Sequence, residues 1–328
     1  MSKEQKQRVA SIDIGTNSVL LLVADWDGHR LTPVVERARI TRLGETYVQD
    51  GRIPEAAMQR TLAVLKDYLA EARSAGAQQV WCTGTQIFRK AQNAAAFVRQ
   101  VKETLGLPLE ILSREQEALF TFVGALDSVP DATGPFWAID IGGGSTEVVL
   151  GTCTAVQYLH SFPVGGVQLK VHFHLGEQFT EKDIATLRRY IRDHVTRHLP
   201  SARGMAIGIG GTPTSLAALH QQLVHYEFEK IDGYRLSREA LQNLFRQMNA
   251  LPLAEREKLP GMEKGRADII LAATLLLEEF LSATNNEELV VSARGLRYGV
   301  ALWKLGLVAP EQMLAAQFNK HETKETSP

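Results

Sequence analysis

Cysteine is scarce: 328 residues contain two, Cys82 and Cys153. They are far apart and fit no metal-ligand spacing. A disulfide framework is excluded, and buried free thiols in a reducing compartment are expected. No sign of charge dominates either. Lys and Arg number 36 against 37 Asp and Glu, a formal net charge of −1. Without a global field favouring nucleic acid or an anionic membrane, any polyanion must be held by a local basic cleft. Long apolar runs are missing. The most apolar stretch, residues 269–281, is too short for a bilayer and contains Glu278 and Glu279. The opening residues MSKEQKQR are charged and carry no apolar signal region. A soluble cytoplasmic protein is expected, with neither nucleic acid nor membrane as partner.

What remains is an ordinary globular composition, 45% apolar, enough for sizeable cores. The length favours two domains. Residues 136–150, FWAIDIGGGSTEVVL, read as strand, glycine turn, strand. Gly142, Gly143 and Gly144 have no side chains, so their backbone N–H groups can approach an anion. Ser145 and Thr146 add hydroxyl donors. Asp140 and Glu147 lie on the two arms of the hairpin, and carboxylates beside a phosphate cradle suit a hydrated Mg²⁺ or Mn²⁺.

The device occurs twice. An offset of 127 positions maps Ile12 onto Ile139, Asp13 onto Asp140, Gly15 onto Gly142 and Ser18 onto Ser145. One such unit is equally well an ordinary strand ending in a turn. Two in register point to halves that face each other across a phosphate chain, with Asp13, Gly15, Thr16, Asn17 and Ser18 as the second set of contacts. This duplication resembles the actin and sugar-kinase superfamily.

Strands alternate with helices in both halves, which argues an α/β fold. Met58, Leu62, Leu65 and Leu69 fall at helical spacing after Pro54, with Gly76 as the stop. Residues 88–105 read as one helix. Residues 127–135, DSVPDATGP, have no periodicity and mark the domain boundary. Thr180 with Asp183 reads as a capping box, and Ser237 caps a further helix. Gly210, Gly211 and Thr212 form a third strand–glycine turn–helix junction, where free N–H groups and the dipole favour anions. His172 and His174 alternate as on a strand, and His194 and His198 sit one helical turn apart. No acidic or cysteine partner completes a zinc set, so they read as polar-face histidines. Ser145 has no histidine base in a recognisable local relation, so hydroxyl donation suits it better than nucleophilic attack.

Together these segments resemble the exopolyphosphatase / guanosine pentaphosphate phosphohydrolase (Ppx/GppA) family. The matching stretches are IDIGTNS at residues 12–18, Arg89 in TQIFRKAQN, EQEA at 115–118, IDIGGGSTE at 139–147, FPVGGVQL at 162–169, GIGGT at 208–212, RADII at 266–270 and GLRYG at 295–299. The resemblance implies two ribonuclease-H-like, actin-like domains with an interdomain active-site cleft. The first covers residues 1–127, with a C-terminal helix near 298–318 packing back on it. The second covers 135–297, and 319–328 form a disordered tail.

The same resemblance implies hydrolysis of terminal phosphates from inorganic polyphosphate, or of the 5′ γ-phosphate of pppGpp, with Mg²⁺ or Mn²⁺. Glu117 is then the general base, and Arg89 a phosphate clamp whose planar guanidinium suits phosphate oxygens. Asp140 and Glu147 are the metal candidates, with Asp13 assisting. Arg266, Arg294 and Arg297 are weaker phosphate candidates, of which Arg266 is retained. A homodimer is the default association, with no residue assigned to it.

Two departures qualify the resemblance. The family's Glu-Glu-Ala-Arg reads here Gln116-Glu117-Ala118-Leu119, which removes one positive contact. Larger members carry a further helical module, so this chain resembles the short forms. Two other readings stay open: an actin-like kinase, and a non-catalytic sensor of polyphosphate or guanosine tetraphosphate.

Overall fold

The structure, a computed structural model, describes residues 7–28, 30–45, 51–130 and 132–314. The tail expected at 319–328 lies outside the described residues. The chain divides into two compact units, with boundaries after Gly124, Gly295 and Ala309.

Unit 1 opens with β1 (Gln7–Ile14), β2 (Ser18–Trp26) and β3 (Leu31–Ile40), followed by α1 (Glu55–Ser74) and β4 (Gln79–Gly84). Then come α2 (Gln86–Lys90), α3 (Ala94–Leu105), β5 (Leu109–Ile111) and α4 (Arg114–Leu126). The sheet order is β3-β2-β1-β4-β5. Antiparallel β1–β2 pairing and parallel β1–β4 pairing place β1 in the centre. Every residue of β1 from Val9 to Ile14 is buried, as a strand covered on both faces requires. Ile12, Ile14, Leu21 and Val23 pack with Leu65, Tyr68 and Phe97. Ala75 caps α1, and Gly76 follows at φ +85°, a conformation that favours glycine.

Unit 2 holds β6 (Phe136–Ile141), β7 (Thr146–Gly151), β8 (Val156–Phe162), α5 (Gly166–His172), α6 (Glu181–His194), β9 (Met205–Ile209) and α7 (Gly211–His220). It continues with α8 (Phe228–Ile231), β10 (Arg235–Ser237), α9 (Arg238–Asn249), α10 (Leu253–Arg256), α11 (Ile270–Ala283) and β11 (Glu288–Ser292). The strand order is β10-β11-β9-β6-β7-β8. α11 is buried nearly all round. Its two glutamates face Arg188 of α6, at 2.5 Å to Glu278 and 2.7 Å to Glu279. The capping box at Thr180 and the Ser237 cap are both formed. The chain then returns to unit 1 in α12 (Leu296–Lys304). Gly299 of α12 lies so close to the Phe120 backbone of α4 that any side chain there would overlap it.

Several local expectations change. Residues 88–105 are two helices: the Asn93 amide bonds both the N–H and the carbonyl of Ile53, and the chain leaves helical geometry there. His172 lies on α5, not on a strand. The amides of Gly166 and Gln168 bond the carbonyls of Gly142 and Gly143, which starts a helix where alternation suggested β structure. His194 ends α6, and His198 sits in a separate 3-10 turn, so the two are not on one helix. Cys82 is buried, but Cys153 is exposed in the turn between β7 and β8. Among the described residues, no helix is long and apolar enough to cross a membrane.

Candidate active site

The two IDIG segments build the same turn. Gly15 N–H donates to Ser18 O and Gly142 N–H to Ser145 O, both at 2.9 Å. In each unit a later segment pins the carbonyls of the loop. Thr41, Arg42 and Gly44 donate to Asn17 and Thr16, while Gly166 and Gln168 donate to Gly142 and Gly143. Both pins need close approach. A methyl at Gly44 would overlap Thr16, and one at Gly165 would overlap the carbonyls of Gly143 and Gly142.

The hairpins differ in charge. In unit 2 Asp140 stands directly opposite Glu147. In unit 1 Asp13 stands opposite Leu20, so the cross-strand carboxylate pair exists once. The acidic companion of Asp13 is Glu117, from the first turn of α4. Asp13 is buried, and its Oδ1 has no hydrogen-bond partner among the described residues. Burial first, then the charge of Glu117, push its carboxyl up to about 7, against the pull of Arg297.

Glu117 is half-buried and ion-paired with Arg89 of α2, Nη2 to Oε2, at 2.7 Å. Arg89 Nη1 also donates to the Leu112 carbonyl at 2.7 Å. The guanidinium read from the sequence as a phosphate clamp therefore grips Glu117 and the chain leading into α4. Arg297 bonds Glu36 of β3 at 2.6 Å, and the Tyr298 hydroxyl donates to the same oxygen at 3.0 Å. Glu36 was not singled out in the sequence, because its partner lies 261 positions away. Thr16 and Asn17 are exposed at the loop tip, and Ser18 is half-buried. Leu119 is fully buried. The position that carries arginine in the family pattern faces the core here, so the leucine leaves no surface gap.

In unit 2, Gly142 and Gly144 are exposed and Gly143 and Ser145 half-buried. Thr146 is fully buried, and its hydroxyl donates to Val164 O at 2.6 Å. Thr212 is also buried, with its hydroxyl directed at Ile141 O, 3.4 Å away. Gly210 has φ +80°, and a side chain there would overlap the Asp140 carboxylate. One at Gly211 would overlap the Arg266 guanidinium. The N-terminus of α7 is thus flanked by Asp140 and Arg266, and Arg266 is ion-paired with Glu263. Arg294 belongs elsewhere: it is buried and pairs with Asp127 and Asp232. Within unit 2 the structure therefore gathers Asp140, Glu147, Gly210, Gly211 and Arg266. Within unit 1 it gathers Asp13, Glu117, Arg89 and Arg297. Among the described residues, no three His, Cys, Asp or Glu side chains converge as a metal cluster.

The profile of the Ppx/GppA phosphatase family matches residues 22–307. The chain belongs to that family. It is 31% identical over 313 residues to exopolyphosphatase 2 of Mycobacterium tuberculosis, covering 90% of this chain and 98% of that one. The crystal structure of the Aquifex aeolicus member of the Ppx/GppA family superposes with a TM-score of 0.83 at 32% identity, covering 92% of this chain and 98% of that one. An exopolyphosphatase from Cytophaga hutchinsonii superposes with a TM-score of 0.82 at 29% identity, covering 93% and 99%. The two mixed α/β units with five- and six-stranded sheets are thus the actin-like architecture of Ppx/GppA proteins.

Proposed function

We propose that this Ppx/GppA phosphatase removes terminal phosphates from inorganic polyphosphate, releasing orthophosphate, with Mg²⁺ or Mn²⁺ as cofactor. The observation that carries the reading is Glu117. A carboxylate held by Arg89 at 2.7 Å, beside a second carboxyl that burial makes hard to ionise, suits the role of base. The names of the relatives support polyphosphate as the substrate class.

Unit 1 supplies the base. Glu117 takes a proton from water as the water oxygen bonds the terminal phosphorus. The bridging P–O bond breaks, and orthophosphate and the shortened chain leave. Arg89 keeps the Glu117 carboxylate in one orientation. Within unit 2, the backbone N–H groups of Gly142, Gly143 and Gly144, the Ser145 hydroxyl, the N-terminus of α7 and Arg266 are donors suited to phosphate oxygens.

The donor set fits the cation. Asp140 and Glu147 are hard oxygen ligands set directly opposite each other, within side-chain reach on one face of the sheet. Two carboxylates, with water and phosphate completing the shell, is the usual manner in which Mg²⁺ is held. When bound, the cation neutralises phosphate charge.

The test is phosphate release by purified protein with Mg²⁺ on short polyphosphate, long polyphosphate, pppGpp and ATP in parallel. Hydrolysis of polyphosphate is expected. Hydrolysis of pppGpp alone would make the enzyme nucleotide-selective. No turnover, with ligands still raising the melting temperature, would make it a binding protein.

A further inference from the structure

One polar row crosses three adjacent strands of unit 2. Asp140 on β6 is opposite Glu147 on β7, and Glu147 is opposite Ser161 on β8. Residues directly opposite share a sheet face and lie within side-chain reach. All three are half-buried, whereas Ile139 and Val148, one step along β6 and β7, point into the core. The Ser161 hydroxyl donates to Glu147 Oε1 at 2.7 Å.

From this row we infer that Ser161 is a positioning residue for Glu147. It fixes one carboxylate oxygen so that the other is presented in a single orientation to a divalent cation shared with Asp140. The inference rests on the reading of Asp140 and Glu147 as cation ligands.

A glutamate on a strand has three rotatable torsions, and its carboxylate is repelled by the aspartate across the pair. A hydroxyl donor on the far side draws Oε1 toward β8. A hydroxyl donating to a carboxylate makes a stronger hydrogen bond than one to a neutral acceptor, and Ser161 Oγ lies 2.7 Å from Glu147 Oε1. Serine suits the place because its side chain is short and rigid. Ligand-orienting partners of this type typically change metal affinity by about 10–100-fold when removed. The equivalent hairpin of unit 1 carries Leu20 where unit 2 has Glu147, so the row has no counterpart there.

The experiment measures Mn²⁺ binding to the full chain by electron paramagnetic resonance, without substrate, for the parent, Ser161→Ala, Ser161→Thr and Glu147→Gln. The Mg²⁺ dependence of phosphate release is measured alongside. Ser161→Ala is expected to weaken Mn²⁺ binding about 10-fold or more and to raise the Mg²⁺ requirement similarly, with kcat at saturating Mg²⁺ nearly kept. Ser161→Thr, which retains the hydroxyl, is expected to restore both. Parental Mn²⁺ affinity in Ser161→Ala, with loss in Glu147→Gln, overturns the role of Ser161 alone. Parental affinity in both overturns it together with the metal reading of Glu147.

Discussion

Arg89 and Glu117 meet at 2.7 Å within unit 1, and the same guanidinium reaches the Leu112 carbonyl at 2.7 Å. Arg89 therefore ties the first turn of α4 to the segment that leads into it. A planar fork can serve two acceptors in fixed directions, which a single ammonium cannot do. Arg89→Lys is expected to lower kcat for phosphate release by about 100-fold, the scale of a small misplacement of a catalytic group, with KM little changed. Steady-state kinetics decide it. A raised KM with parental kcat would instead assign Arg89 to uniform binding of phosphate.

Asp13 predicts a pH dependence of stability. Its folded-state carboxyl lies at about 7, above the ordinary 3.8. Between those values the folded chain holds a proton that the unfolded chain has released. The contribution of Asp13 to stability is therefore greatest below about pH 4, falls as pH rises toward 7 and is level beyond, a loss on the order of 2–4 kcal/mol. Asp13→Asn removes the ionisation. Its melting temperature is expected to exceed the parent's at pH 8 and to match it at pH 4. Equal melting temperatures at both pH values would contradict the burial argument.

The ion triad of unit 2 predicts a second effect. Burial raises the Glu278 carboxyl, and Arg188 opposes that rise. Arg188→Ala leaves buried Glu278 without this guanidinium and Glu279 with Arg192 at 3.5 Å, a loss of about 3–5 kcal/mol. Protonation relieves the penalty, so the loss should be larger at pH 7 than at pH 5. Urea unfolding at both pH values checks it. A loss below about 1 kcal/mol at pH 7 would mean that solvent screens the pair as it does at a surface.

The duplicated hairpin was legible because it depends on residue type at fixed offsets. Asp13 and Asp140 sit one residue before the ends of their strands, and Gly15 and Gly142 make identical turns. The Thr180 capping box was legible for the same reason. Other features depend on distant partners. The break before α3 comes from Asn93 bonding Ile53, 40 positions earlier. α5 forms because its amides bond the glycine loop, so alternation around His172 misled. Glu36 and Ser161 carry no local motif; each is defined by what another strand or loop brings against it. Thr146 follows the glycines directly, and strand alternation turns its hydroxyl inward to Val164, a contact that the local sequence does not show.

The most direct test of the account is single-turnover phosphate release from polyphosphate by Glu117→Gln, with polyphosphate binding measured on the same preparation. The amide keeps the size of the side chain and cannot accept the proton. The account predicts a rate lower by about 10²–10⁴-fold, with polyphosphate affinity within a few-fold of the parent. A parental rate with parental binding would contradict Glu117 as the base and move that role to another group.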